Sequence, residues 1–435
     1  MPVPGPPHSS RDGAGRSPRR PWSSGFLLLG IVLVAVNLRP VITALGPVLP
    51  LVGAETGLSP AALGLLGAMP VVAFAVVSPV VHLLIDRLGV ERTVLGALVV
   101  LTVATVLRSW PGPAANLWVG TVLIGATVAV GNVAMPVVVK QDFPSVVART
   151  TGVYVAALSV CAALASGLAV PLAGLSTLGW RLSLGVWALL TVVAVAAWVP
   201  RALRPGPGRP GPLTGRPAPG RPPSPAAGRP PSPSPPRPAG PSVWRSGLAW
   251  QLAGYMGLQS TAFYVLVTWL PTLEQDLGIS PADAGWYVSF FQVVGIAGNL
   301  GAPAVMRLGR DQRLAAALPG LLLAVAVVGM LVAPGLVLLW SAGIGLSTGA
   351  AFVISLSLMS LRAADAATAG RLSGMSQAVG YALAALGLVL AGVVRDLTGP
   401  GPWLLVLVGL VAVAMVILGL RVGTSRPGLG GRLPQ

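Results

Sequence analysis

The chain is poor in the groups that do chemistry inside an apolar interior. Its eleven acidic residues are Asp12, Glu55, Asp86, Glu91, Asp142, Glu274, Asp276, Asp283, Asp311, Asp365 and Asp396, and each falls in a tail, a loop or the end of an apolar block. The two histidines, His8 and His82, lie in the N-terminal tail and at the end of the second block. The intramembrane carboxylate or imidazole relay used by many pumps is therefore not in the pattern. Cys161 is the only cysteine, which leaves no disulfide framework or Cys-based metal site and reads as a small buried hydrophobe. Nucleotide-binding P-loops, nucleophile elbows and His/Asp/Glu clusters are missing too. No enzyme, metal or cofactor is expected.

Apolar length is what the chain has. Of its 435 residues, 54% are hydrophobic and 9% charged, and the mean hydropathy is +0.81. A water-soluble core could not hide so much apolar surface. Charges, prolines and glycines divide it into about twelve blocks, near 26–51, 60–84, 93–109, 116–139, 150–174, 182–199, 247–270, 281–306, 314–333, 336–360, 370–394 and 402–420. A span needs roughly 20 apolar residues, and in hydrocarbon every backbone N–H and C=O needs an internal partner. The blocks are read as transmembrane helices of an all-α integral membrane protein.

The blocks fall into two related sets. Pro50/Pro271, Gly57/Gly278, Ser59/Ser280, Pro60/Pro281 and Ala61/Ala282 match at one offset of 221 residues. Arg87-Leu88-Gly89 returns as Arg307-Leu308-Gly309. Two parallel six-helix repeats, 26–199 and 247–421, are expected to flank a site between them. The segment 200–246 is rich in Pro and Arg and reads as a flexible connector; 1–25 and 422–435 read as tails.

The net charge of +17 could suggest nucleic acid, but its placement argues for topology. Of 28 basic residues, 24 lie in the tails or in the loops after even-numbered blocks. Basic loops stay on the cytoplasmic side. The expectation is a multi-pass protein of the bacterial cytoplasmic membrane with both termini inside, bordered by anionic lipid headgroups, without a nucleic-acid partner, and monomeric.

One charge breaks the pattern. Arg39 lies about 13 residues into the first block, near the bilayer midplane, with no carboxylate at similar depth. Holding it there costs about 3 kcal/mol even on the mildest insertion scale. It is either a brace for backbone carbonyls or the anchor of an anionic solute, and Thr43 lies four residues on, on the same helical face. Polar positions recur at i+4 in Gln251, Tyr255, Gln259 and Phe263 with adjoining Tyr264 and in Ser373, Gln377 and Tyr381, and Gly285, Ser289, Gln292 and Asn299 share a helical stripe. Asn132 adds one more polar group. Each is either a helix-to-helix bond or a solute contact.

These residues carry a resemblance. Asp86-Arg87-Leu88-Gly89-Val90-Glu91-Arg92 resembles the D-R-x-G-R-R loop of the major facilitator superfamily, with Glu91 in place of a basic residue. Asn37-Leu38-Arg39-Pro40, Lys140-Gln141-Asp142-Phe143-Pro144 and Gly257-Leu258-Gln259-Ser260 resemble the cyanate and 2-nitroimidazole permeases within it. The resemblance implies gating roles for Asp86, Arg87, Gly89 and Arg92, and for Arg307 and Gly309 in the second copy. It agrees with Arg39 as a solute-binding residue. Asn37, Thr43, Asn132, Gln259, Tyr264, Gln292 and Gln377 are its candidate partners. The expected function is alternating-access transport of a small solute, with a cyanate-type anion as the leading class and a coupling ion as a further partner. The alternatives are export of a small neutral or drug-like compound and, from another class, a non-transporting sensor or scaffold.

Overall fold

A computed structural model describes residues 23–203, 243–307, 311–363 and 366–424. Nearly all of the expected N-terminal tail, most of the connector and of the C-terminal tail, and Gly309 lie outside these residues.

Within them the chain is helical, with no strand element. Eleven helical stretches are long and apolar enough to cross a membrane. A twelfth, Gly247–Asp276, is 30 residues long and more polar, because it carries Gln251, Gln259, Ser260 and Thr261. In chain order the spans are 1 (Ser24–Leu38, Pro40–Thr43 and Leu45–Thr56), 2 (Pro60–Val77 continuing to Leu88), 3 (Val90–Ser109), 4 (Ala115–Asp142), 5 (Val147–Ala173) and 6 (Trp180–Gly185 and Trp187–Ala202). The second set is 7 (Gly247–Asp276), 8 (Pro281–Val305), 9 (Arg313–Val332), 10 (Val337–Arg362), 11 (Ala366–Thr398) and 12 (Trp403–Val422). The connector is shorter than expected at both edges, since helix runs to Ala202 and a turn at Val243–Arg245 precedes span 7.

The duplication is visible in the backbone. Gly57 and Gly278 end spans 1 and 7 at φ 69° and 84°, a left-handed conformation that costs glycine little. Ser59 and Ser280 then cap spans 2 and 8, accepting from the N–H groups of Ala62 and Asp283. Acidic residues at matching positions are held alike: Glu55 pairs with Arg181 and Asp276 with Arg395.

Span 1 is discontinuous. The helix breaks at Arg39, where Pro40 cannot continue the bonding ladder, and again at Ala44. Pro47 has no N–H to offer the Thr43 carbonyl, which instead accepts from Ser166 Oγ of span 5 at 3.1 Å. Arg108 of span 3 donates to the Val41 carbonyl at 2.6 Å. Freed carbonyls in a broken span must find such partners.

The two sets meet tightly on the side away from the termini. A Cβ placed on Gly46 would lie 2.3 Å from the Val267 carbonyl oxygen, and one on Gly64 would lie 2.7 Å from that of Leu388. Spans 5 and 8 close the same way, with Trp286 against Gly167. Every such close approach between the sets at a described glycine (Gly46, Gly64, Gly67, Gly167, Gly285 and Gly392) lies in the far half, and none lies in the terminal half. Only backbones this bare of side chains approach so closely. The molecule is closed at its far face and open toward its termini.

Candidate functional site

The break in span 1 puts Arg39 at the inner wall of a cavity of about 140 Å³ between the two helix sets. Span 5 contributes Ser159 and Ala162, span 7 Gln259, Ser260, Phe263 and Tyr264, and span 8 Phe291, Gln292 and Asn299; Phe352 of span 10 and Tyr381 of span 11 complete the wall. Arg39 is half-buried. Its guanidinium carbon lies 5.4 Å from the centre of the Phe263 ring, within cation–π range. No hydrogen bond or ion pair engages its side chain among the described residues.

Around it the aromatic rings form a continuous set. Phe263 and Tyr264 stand edge to face at 5.3 Å, Tyr264 and Tyr381 at 6.4 Å, and Tyr381 and Phe74 at 5.7 Å. The polar groups are sparse and pre-set. Gln259 donates to Ser260 Oγ at 2.8 Å. Gln292 donates to Ser166 Oγ at 2.8 Å, joining span 8 to span 5 and, through Ser166, to span 1. Asn299 Oδ1 is buried against the cavity without a bond among the described residues. A mostly apolar hollow with a few placed polar atoms and one uncompensated cation is suited to a small solute carrying negative charge or a strong acceptor.

Of the eight expected solute-binding residues, Arg39, Gln259, Tyr264 and Gln292 line the cavity. The other four are placed elsewhere. Asn37 turns toward span 6, donating to the Leu33 carbonyl at 2.6 Å and accepting from Thr191 Oγ1 at 3.0 Å. Thr43 is buried and donates to the Ala162 carbonyl at 3.0 Å, tying span 1 to span 5. Gln377 bonds Ser373 Oγ at 2.9 Å in the terminal-side part of span 11, where the sets diverge. Asn132 is exposed and outside the cavity wall. The stripe of span 7 also divides, since Tyr255 bonds the Ala316 carbonyl at 2.7 Å. Ser159, Phe291 and Phe352 also line the cavity, and nothing in the sequence pattern distinguishes them from other serines and phenylalanines of apolar helices.

At the terminal-side end, Asp86, Arg87, Gly89 and Arg92 are exposed, as is Arg307. None of their side chains has a hydrogen-bond or ion-pair partner among the described residues. The ion pairs there are those of Arg201, which contacts Asp142 at 2.6 Å and Glu91 at 3.6 Å, and of Arg313 with Asp311 at 3.1 Å. Glu274 lies two residues from the end of span 7 and is fully buried.

Comparison with known proteins agrees with this architecture. Residues 27–387 match the Major Facilitator Superfamily model, and the chain belongs to that superfamily. It is 34% identical to the 2-nitroimidazole transporter of Escherichia coli K12 over 92% of this chain and 96% of that protein. It is 28% identical to the cyanate transport protein CynX of the same organism, over 86% of this chain and 91% of that protein. Among solved structures, a bacterial homologue of the human lysosomal transporter Spinster, in an inward-facing and occupied conformation, superposes with a TM-score of 0.70 at 16% identity. It covers 92% of this chain and 95% of that one. The chain is a multi-pass membrane transporter of small solutes, not an enzyme.

Proposed function

We propose that the protein moves a small anion of the cyanate type across the cytoplasmic membrane by alternating access. The observation that carries this is the Arg39 guanidinium, unpaired among the described residues, in a cavity walled by both helix sets. A solute anion there would supply the missing counter-charge and accept charge-assisted hydrogen bonds from Arg39. The amide N–H groups of Gln259, Gln292 and Asn299, on the same wall, would be the further donors available to it. Size supports a small cargo, since a cavity of about 150 Å³ is known to hold one benzene ring.

The aromatic wall favours a second reading, export of a small neutral ring compound, and the relative that carries 2-nitroimidazole is consistent with it. In either case 26–199 and 247–421 act as the rocking halves, and the basic terminal side faces the cytoplasm. The exposed Asp86-Arg87 loop fits a latch released in the inward-open arrangement. Uptake and counterflow in proteoliposomes decide between the readings. The anion reading requires cyanate or another small anion to exchange, and exchange of only neutral ring compounds would replace it.

A further inference from the structure

Glu274 is fully buried two turns beyond the contact that closes the far face. Ser341 Oγ of span 10 lies 3.4 Å from its Oε1, and its Oε2 has no partner among the described residues. No Lys, Arg or His nitrogen is in ion-pair contact with it there. The charged groups near this end, on the elements packed against span 7, are engaged or exposed. Arg395 of span 11 is taken by both oxygens of Asp276. Glu55 of span 1 is held by Arg181 and by Trp180 Nε1. Asp283 of span 8 is bonded to Ser280 Oγ, and Asp396 of span 11 is exposed. Spans 10 and 12 bring no charged residue to this end.

Burying a bare carboxylate without a cation costs several kcal/mol, and proteins avoid this by keeping the group neutral. Pro271, three residues earlier, has no N–H to offer the Val267 carbonyl, the group on which Gly46 packs. The far end of span 7 is thus joined to the rest of the helix by a weakened turn and seats Glu274 against span 10.

We propose that Glu274 is a proton-binding site that controls the far-side gate. With its carboxyl protonated, the end of span 7 docks on span 10 and the far face closes. When the face opens, the proton leaves to far-side water and the carboxylate is hydrated. This rests on the alternating-access reading but not on the identity of the solute.

The test therefore uses no solute. Thr268 is buried and its Cγ2 lies 3.1 Å from the Cβ position of Gly67 across the closed face. Thr268→Cys in a Cys161→Ala background reports opening by thiol labelling in lipid nanodiscs. The labelling rate is divided by that of the same protein with Glu274→Gln, which cancels the thiol's own titration. The ratio should rise with pH, by up to about tenfold per unit, as release of one proton on opening requires. Glu274→Gln, the isosteric mimic of the acid, should open rarely and to an extent that does not change with pH, while Ser341→Ala, which keeps the carboxyl, should retain the pH dependence. A ratio independent of pH, or loss of the dependence in Ser341→Ala alone, would overturn the proposal. Failure of every anion to exchange would strike the transport reading and leave this measurement standing.

Discussion

Arg108 donates a 2.6 Å bond to the carbonyl of Val41, two residues past the break that carries Arg39. Arg108 is only 2% exposed, and its Nε and Nη2 have no partner among the described residues. One bond thus secures the least regular piece of span 1 from behind. Arg108→Met, which keeps the stem, should leave the Val41 carbonyl orphaned at roughly 1–3 kcal/mol. The gain from no longer burying a charge offsets part of that cost. The expected result is a modest fall in Tm together with weaker solute binding, because Arg39 loses its fixed position. Unchanged affinity in a destabilised Arg108→Met protein would show that Arg108 braces the helix without positioning Arg39.

The periodic parts of the molecule were legible from sequence. The twelve spans and the duplication follow from apolar length and from Gly57/Gly278 and their neighbours, because lipid leaves a long apolar segment no choice but helix. The site was half legible. An unpaired intramembrane charge points to Arg39, and helical spacing points to Gln259 and Gln292. Asn37 and Thr43 lie in the same span as Arg39, but their side chains are taken by Thr191 of span 6 and by the Ala162 carbonyl of span 5, and helical spacing alone does not show which neighbour a polar group meets. Gln377 shares a face with Tyr381, but one turn along a helix that leaves the cavity when the terminal side opens. The apolar block of span 7 stops at 270 in the sequence, which leaves Glu274 just past it, whereas the helix runs on to Asp276. A proline inside a packed helix leaves one carbonyl free without ending it.

Arg39 itself separates the anchor and brace readings. Its side chain makes no hydrogen bond in the described structure, so Arg39→Gln should cost little stability and raise Tm slightly by removing an unpaired charge. Anion binding should fall by roughly tenfold to a hundredfold, the worth of a charge-assisted hydrogen bond. Arg39→Lys should be intermediate, keeping the charge without the planar fork. A destabilised Arg39→Gln protein with wild-type affinity would sink the anchor.

The charge asymmetry makes a topological prediction. Glu55→Cys and Asp283→Cys, at the ends of spans 1 and 8, should react with an impermeant thiol reagent added outside intact cells, and Asp86→Cys should not. The background is Cys161→Ala, and all three positions are at the protein surface. Glu274→Cys is unsuitable, since burial would silence it from either side. Labelling of Asp86→Cys from outside would invert the model.

Ser166 links both helix sets at the cavity, donating to the Thr43 carbonyl while accepting from Gln292 Nε2. Pro47 is what makes the arrangement possible, since it frees that carbonyl. Ser166→Ala would leave a buried acceptor unpaired and Gln292 with only its 3.3 Å bond to the Val288 carbonyl. The expected cost is about 1–3 kcal/mol. Because Gln292 sits on the opposite set, part of this cost should fall on the far-side-closed arrangement. The open population should then rise by roughly tenfold for each 1.4 kcal/mol transferred, read as faster labelling of Thr268→Cys at fixed pH. Gln292→Met should act in the same direction, and the double variant should be less than additive, as residues in one bonding network are. Strictly additive effects would mean that the two bonds are independent, and that Ser166 does not couple the halves.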